Sequence, residues 1–478
     1  MKWVLFMTKR VTRKRGLLIC GGIYFFSFAF LMLRQKKFDQ CYTMDTNFSV
    51  AFVRHVFELG RERKFQGRGL GYRKPVVLSK EKGKCNFNVL VILCESLRRQ
   101  NLGLYGYNKN TTPQLDRFVY ENKESTFLFK EAYSVSSTTM LAVPAILSGI
   151  APYQSSDMFY RQPLIWEFGR SSRLRTFFLS SHTMEWYHFD RYYEREHIDY
   201  KWNKETSGKP FFNDLGIDDA FTIKELNRLL TKKSRFFGVV QLNTTHYPYH
   251  VPSCARKWNG TFEDEYNNAI RYQDSLLGSV FDQLKRERII ENTVIILTSD
   301  HGESLKDHHS MGHVDSYYTE AISIPLIFYL PEKIRKDLNC MALTRNKRKT
   351  VSNIDIAPTI IDLLDMRGQL KEKDLLDAYS GFSLFKEIPE DRTLITMNNN
   401  EVALFKVGIS VLGSGWHYIH RMNIVPHRQE LYATKWDKKE KINLFGRTGK
   451  QQLMRFFKEL KKYDVCIKYL PEFHKSFN

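Results

Sequence analysis

Three apolar, β-branched runs constrain this chain more than any other feature: Asn86–Leu93 (NFNVLVIL), Arg235–Leu242 (RFFGVVQL) and Thr293–Thr298 (TVIILT). Each is short and continuous, as expected of a strand buried on both faces of a parallel sheet. Between the last two, Ala269, Leu276, Leu277, Val280, Phe281 and Leu284 recur at helical spacing. Strands alternating with amphipathic helices predict an α/β layered fold, whose functional residues should lie just beyond the strands' carboxyl ends. At those places stand Cys94-Glu95-Ser96, Asn243-Thr244-Thr245-His246 and Ser299-Asp300-His301-Gly302-Glu303. Any one of these alone would read as a capping or surface residue. Carboxylates and imidazoles converging on one sheet edge predict a metal site suited to zinc or manganese.

The N-terminus adds a second constraint. Gly16 to Leu33 is 18 residues without a charge, against a minimum of ~17 for a helix crossing the hydrocarbon layer. Lys9, Arg10, Arg13, Lys14 and Arg15 precede it, and Arg34, Lys36 and Lys37 follow. The larger basic cluster on the N-terminal side predicts N-in, C-out. A cleaved signal peptide is the rival reading. The run exceeds the usual ~7–15 apolar residues of such a peptide, and no small-x-small cleavage site follows.

The net charge of +21 speaks of partners rather than fold. Its Lys and Arg residues are spread along the chain, without a zinc-finger or RNP-type motif. The expected partners are therefore a membrane surface and a phosphate-bearing substrate, not nucleic acid. Cys20 falls in the apolar run, and Cys41, Cys85, Cys94, Cys254, Cys340 and Cys466 are scattered with no CxxC pair, so no disulfide framework can be read. Four glycosylation sequons occur, at Asn47, Asn110, Asn243 and Asn259. The one at Asn243 stands beside the expected site, where a glycan would obstruct it.

Length, at 478 residues, allows a large α/β domain with additions. The expected boundaries are a basic cytoplasmic segment at 1–15, a transmembrane helix at 16–33 and a juxtamembrane linker at 34–85. A catalytic domain at 86–400 and a C-terminal subdomain at 401–478 follow. Alternating runs such as EVALFKVGISVL predict a small antiparallel sheet there, and Leu453–Leu460 a terminal amphipathic helix.

The run NVLVILCESLRRQNLGLYGYNKNTTPQLDRF resembles the opening motif of the sulfatase-like branch of the alkaline phosphatase superfamily. YNNAIRYQDSLLGSVFDQL followed by NTVIILTSDHGESL resembles the central motif, and SNIDIAPTIIDLL and ELYATKWDKKEKINLF the C-terminal elements. True sulfatases carry a cysteine in a C-x-P-x-R motif. The corresponding stretch here, SVSSTTMLAVPAILSG from Ser134 to Gly149, has no cysteine. It is similar instead to the threonine-bearing segment of lipid phosphoethanolamine transferases and lipoteichoic acid synthases.

That resemblance places the nucleophile on Thr139, with Ser136, Ser137 and Thr138 as the neighbouring alternatives. It implies a divalent metal held by Glu95, Asp300 and His301, with the Thr139 alkoxide as a further ligand. It also implies site roles for His246 and His313: binding substrate phosphate, protonating the leaving alcohol or completing a second metal site, with His313 counted among the metal ligands. In the aromatic segment Met184–Tyr200, Arg191 is the candidate for holding a glycerol phosphate. His250, His308 and His309 read as surface residues. Cysteine pairs found around the site in phosphoethanolamine transferases are missing near Thr139. The implied activity is transfer of a phospholipid head group, phosphoethanolamine or phosphoglycerol, to a cell-surface glycan or lipid through a phosphothreonine. The catalytic domain would be extracytoplasmic, facing the periplasm if the cell is bacterial. A phosphate or sulfate ester hydrolase of the same fold is the runner-up, and an inactive surface-binding module the third reading.

Overall fold

The structure is a computed structural model that describes residues 73–79, 85–154, 161–186, 189–194, 198–314, 316–336, 338–371, 374–399, 404–421, 428–463 and 466. The expected membrane helix at 16–33 lies outside the described residues. Within them, no helix is long and apolar enough to cross a membrane. The chain divides into two units, and the second, Gly69–His420 with Gln429–Asn478, holds the architecture that follows.

Seven strands form the central sheet: β1 Asn88–Cys94, β2 Thr126–Phe129, β4 Arg175–Ser180, β5 Tyr200–Trp202, β6 Phe236–Leu242, β7 Thr293–Ser299 and β10 Leu326–Tyr329. Their spatial order is β2-β10-β7-β1-β6-β4-β5. The three runs read from sequence are β1, β6 and β7, adjacent and parallel. The sheet is mixed, because β10 runs antiparallel to β7 and β2 antiparallel to β10. Two short pairs accompany it: β3 Glu131–Tyr133 with β11 Thr350–Ser352, and the hairpin of β8 Ser304–Leu305 with β9 Met311–Gly312.

Alternation along β1 explains why its run is apolar throughout. Val89, Val91 and Leu93 enter one core with Val143, Ile146 and Leu147 of helix α2, Thr139–Ser148. The same core takes Trp166 and Phe168 of α3 (Ile165–Ser171) and Ile356, Ala357 and Ile360 of α7 (Ile356–Leu363). Leu90, Ile92 and Cys94 enter the other core with α1 (Pro113–Glu121), α5 (Asp219–Leu230) and α6 (Phe262–Arg286). A strand covered on both faces needs apolar side chains at every position. Each fully buried Val, Leu or Ile contributes ~1.5–3 kcal/mol.

Local signals fix the helix ends. Thr261 and Asp264 form a capping box at the start of α6, and Lys285 and Arg286 close its last turn. Gly149 ends α2 at φ 72, and a Cβ there would lie 2.9 Å from Ala357 and 2.4 Å from the Tyr379 ring. A side chain at that position would therefore push α7 off α2.

The predicted C-terminal sheet is present. Its strands are β12 Thr393–Asn399, β13 Leu404–Gly413, β14 Trp416–Arg421 and β15 Arg428–Tyr432, followed by helix α8 Lys450–Leu460. Residues 73–79, within the segment read as linker, lie along the domain: Leu78 bridges Leu370, and the Ser79 N–H donates to the Gln369 carbonyl at 2.7 Å. Val76 and Leu78 pack on the core there.

His308 corrects the reading of it as a surface residue. Its Nδ1 pairs with Glu320 at 2.8 Å and its ring stacks on Tyr318 at 3.8 Å between centroids. Burial lowers its pKa, but Glu320 outweighs burial and raises it from 6.5 to about 9. A raised folded-state pKa gives stability that is fully present below 6.5 and is lost as pH rises through about 9. The melting temperature should fall across that window, and His308→Gln should flatten the fall. An unchanged slope in the variant would remove His308 as the cause. His250 and His309 are exposed, as expected.

Candidate active site

Parallel pairing of β1 with β7 and β6 delivers their carboxyl ends to one edge. Glu95 follows β1, Asp300 and His301 follow β7, and all three are buried. One donor atom from each lies within 4.8 Å of the others. Ser96 takes a left-handed φ of 54 as the chain leaves β1, and its N–H donates to Asp300 Oδ1 at 3.0 Å. Such a conformation costs about 1–3 kcal/mol for a non-glycine residue, and it turns the chain so that Asp300 is held from below. His301 Nδ1 faces the Gly302 carbonyl at 2.8 Å. That bond places the ring proton on Nδ1 and leaves the Nε2 lone pair toward the cluster.

Thr139 is the first residue of α2, and its N-cap Thr138 offers no side-chain cap. Its hydroxyl donates to Glu95 Oε1 at 2.6 Å and lies 3.0 Å from His301 Nε2. The neighbouring hydroxyls go elsewhere. Ser137 Oγ donates to the His313 carbonyl at 2.8 Å, and Thr138 Oγ1 pairs with Ser136 Oγ at 3.1 Å.

The electrostatics follow from burial and proximity. Burial alone would raise the Glu95 carboxyl, yet the hydrogen bond and charge of His301, with His182 and His246, hold it well below the usual range. Asp300 is pushed up to about 7 by burial and then by the charge of Glu95. Burial lowers His301, but Asp300 and Glu95 outweigh it and raise the imidazole to about 9. Glu95 Oε2 and Asp300 Oδ2 are buried without a hydrogen-bond partner. Two carboxylate oxygens and an imidazole nitrogen with unclaimed donor capacity fit a divalent cation.

The other two candidate histidines, His246 and His313, stand together, their rings 6.1 Å apart. His246 follows β6 on a loop whose Asn243 and Thr244 amides donate to the buried Asp219 carboxylate at 2.8 and 3.0 Å. Asn243 itself is fully buried, so its sequon carries no glycan in the folded chain. The β8–β9 hairpin brings His313 back over the cluster, with its ring 4.0 Å from that of His301 and 6.1 Å from that of His246. Its Nδ1 lies 3.4 Å from the buried Glu303. Burial lowers His246, but Asp214 and Glu95 leave it raised, whereas burial and His301 leave His313 lowered. Arg191 lies in helix α4, Phe189–Glu194; its side chain is outside the described residues.

His182 was not singled out from the sequence. It is fully buried, with Nε2 3.6 Å from Glu95 Oε2, and burial lowers its pKa to about 4. The signal existed: RTFFLS, the run of β4, is followed by Ser181-His182, repeating the pattern of apolar strand followed by imidazole. Cys94, Cys254, Cys340 and Cys466 are free thiols.

The chain is similar to several known proteins. The Sulfatase family model matches residues 87–366. A Kdo(2)-lipid A phosphoethanolamine 7''-transferase of Salmonella typhimurium is 22% identical over 268 residues, 51% of this chain and 44% of the relative. An Endo-4-O-sulfatase of Bacteroides thetaiotaomicron is 26% identical over 165 residues, 30% of this chain and 31% of the relative. The chain spans about half the length of the curated transferases it matches. The C-terminal periplasmic domain of EcEptC from Escherichia coli has a TM-score of 0.56 at 19% identity, covering 72% of this chain and 96% of that one. That domain has also been solved in complex with Zn. With the motifs in order along the matched residues and the strand ends in one buried cluster, the chain belongs to the sulfatase family of the alkaline phosphatase superfamily.

Proposed function

We propose that the chain is a metal-dependent phosphotransferase anchored in a membrane by residues 16–33, with its catalytic domain at 86–400 outside the cytoplasm. It would move phosphoethanolamine or phosphoglycerol from a phospholipid to a glycan or lipid of the cell surface. One observation carries the reading: where true sulfatases have a cysteine, Thr139 opens a helix with its hydroxyl 2.6 Å from Glu95 and 3.0 Å from His301.

The bound ion, zinc or manganese, would polarise a phosphoryl oxygen and favour the alkoxide form of the nucleophile. Glu95 accepts the Thr139 hydroxyl hydrogen bond and so aims the oxygen away from α2. The first-turn amides of α2 favour the negative phosphoryl group. In the first step Thr139 Oγ1 bonds to phosphorus, and diacylglycerol leaves with a proton, for which the raised imidazole of His246 is the donor. In the second step the acceptor hydroxyl gives its proton to the now neutral His246 and its oxygen bonds to phosphorus, while the bond from phosphorus to Thr139 Oγ1 breaks and Thr139 leaves as the alkoxide it began as.

The similarity to the Endo-4-O-sulfatase favours the second reading, an ester hydrolase in which water resolves the intermediate. The two readings part on the acceptor. A transferase must keep water from the intermediate until the acceptor hydroxyl arrives. The full chain in detergent, given fluorescent phosphatidylethanolamine or phosphatidylglycerol, should release diacylglycerol slowly alone. A cell-surface glycan or lipid extract should accelerate that release at least ~10-fold. Rapid release of inorganic phosphate or sulfate from a soluble ester, indifferent to the extract, would favour the hydrolase.

A further inference from the structure

The stretch before Thr139 is held from the C-terminal sheet. Thr396 Oγ1 of β12 donates to the Ser134 carbonyl at 2.7 Å, and the Met397 N–H donates to the Val135 carbonyl at 2.9 Å. The register of β12 against β13 then slips between Met397 and Asn399. A bulge of this kind re-aims one side chain, and the one affected, Asn398, is fully buried.

Every polar valence of that amide is used. Asn398 Oδ1 accepts from the Ser137 N–H and from Ser136 Oγ, both at 2.9 Å. Asn398 Nδ2 donates to the Val314 carbonyl at 2.8 Å and to Ser137 Oγ at 2.7 Å. A backbone N–H on one side and a backbone carbonyl on the other fix which way the amide points. Ser137 stands two residues before Thr139, and Val314 directly follows His313. Ser137 Oγ, already bonded to this amide, passes the tie on to the His313 carbonyl at 2.8 Å.

We propose that Asn398 is a positioning residue, which locks the loop carrying Thr139 and the loop carrying His313 into one arrangement. The proposal rests on the reading of Thr139 as nucleophile. A nucleophile displaced by about 1 Å loses roughly 100-fold in rate. Without that amide the two loops would sample such displacements independently. Asn398→Leu has nearly the same shape and removes all four bonds. Asn398→Asp keeps the acceptor half toward Ser136 Oγ and the Ser137 N–H and loses the donor half toward Val314 and Ser137 Oγ.

The test uses the full chain in detergent, with bis(p-nitrophenyl) phosphate as a soluble diester probe, and amide hydrogen exchange beside it. Asn398→Leu should lower kcat roughly 100-fold with KM within about 3-fold, and leave bound metal unchanged. Exchange should quicken in 134–139 and 311–316 and not across the rest of the C-terminal sheet. Asn398→Asp should restore at least ~10-fold of the lost kcat and the protection of the Ser137 amide, while 311–316 stays fast. Wild-type kcat in Asn398→Leu beside an inactive Thr139→Ala would overturn the positioning role alone. Full activity in Thr139→Ala would overturn the nucleophile reading instead. Unchanged exchange in both loops, or quickening spread over the whole sheet, overturns the joint whether or not the diester is turned over.

Discussion

Thr139→Ala is expected to lower turnover on the order of 10⁴–10⁶-fold, the range seen when a nucleophile is removed from a working site. The Thr139 side chain is buried, and its hydroxyl is hydrogen-bonded to a carboxylate that His301 keeps ionised against the effect of burial. Removing it costs a hydrogen bond to a charged group, about 1.5–3 kcal/mol, which a domain with two large cores tolerates. Melting temperature and bound metal should therefore change little while the rate collapses. Thr138→Ala separates register from nucleophile. Its hydroxyl pairs with Ser136 rather than Glu95, so its loss should cost less than ~10-fold, the effect of a polar contact outside the reacting atoms. Full activity in a folded Thr139→Ala chain, with collapse in Thr138→Ala, would move the nucleophile by one residue.

Asp300→Asn should remove the metal while leaving the packing in place. The two residues have the same shape, and the amide oxygen can still accept from the Ser96 and His301 N–H groups, at 3.0 and 2.9 Å in the parent. What disappears is the negative charge at Asp300 Oδ2, a buried atom without a hydrogen-bond partner. Changing a residue that only hydrogen-bonds to a metal ligand weakens metal binding ~10–100-fold, so losing a charged ligand should weaken it by more than ~100-fold. Elemental analysis of the parent should give about one zinc or manganese per chain, and a chelator should stop turnover until the ion is returned. Because protons compete for Asp300 and His301, affinity should also fall as pH is lowered. Undiminished affinity in Asp300→Asn sinks the site.

Parallel strands explain what could be read beforehand. Because β1, β6 and β7 are adjacent and parallel, the residues after each run had to meet at one edge, and Glu95, Asp300 and His301 do. His182 obeys the same rule at the end of β4, next to β6. The aromatic segment behind it drew the reading to Arg191 instead. The antiparallel edge was illegible for a different reason: TFLF and LIFY are four-residue strands, too short for periodicity to separate from loop. Asn398 could not have been found either. Its reach to Ser137 and Val314 depends on a bulge, and sequence periodicity gives no sign of where a register slips. The polar stretch Ser134–Thr139 was recognisable only through its resemblance to threonine-bearing transferases, since nothing in its composition tells a nucleophile loop from a helix cap.

Peptide mass spectrometry of the covalent intermediate tests the account most directly. The full chain would be mixed with phosphatidylethanolamine or phosphatidylglycerol without acceptor, quenched in acid and digested. The account predicts a phosphoethanolamine or phosphoglycerol adduct on Thr139, present in the parent, missing in Thr139→Ala and discharged when acceptor is added before quenching. Diacylglycerol release with Thr139 unmodified, or an adduct on any other residue, would contradict it.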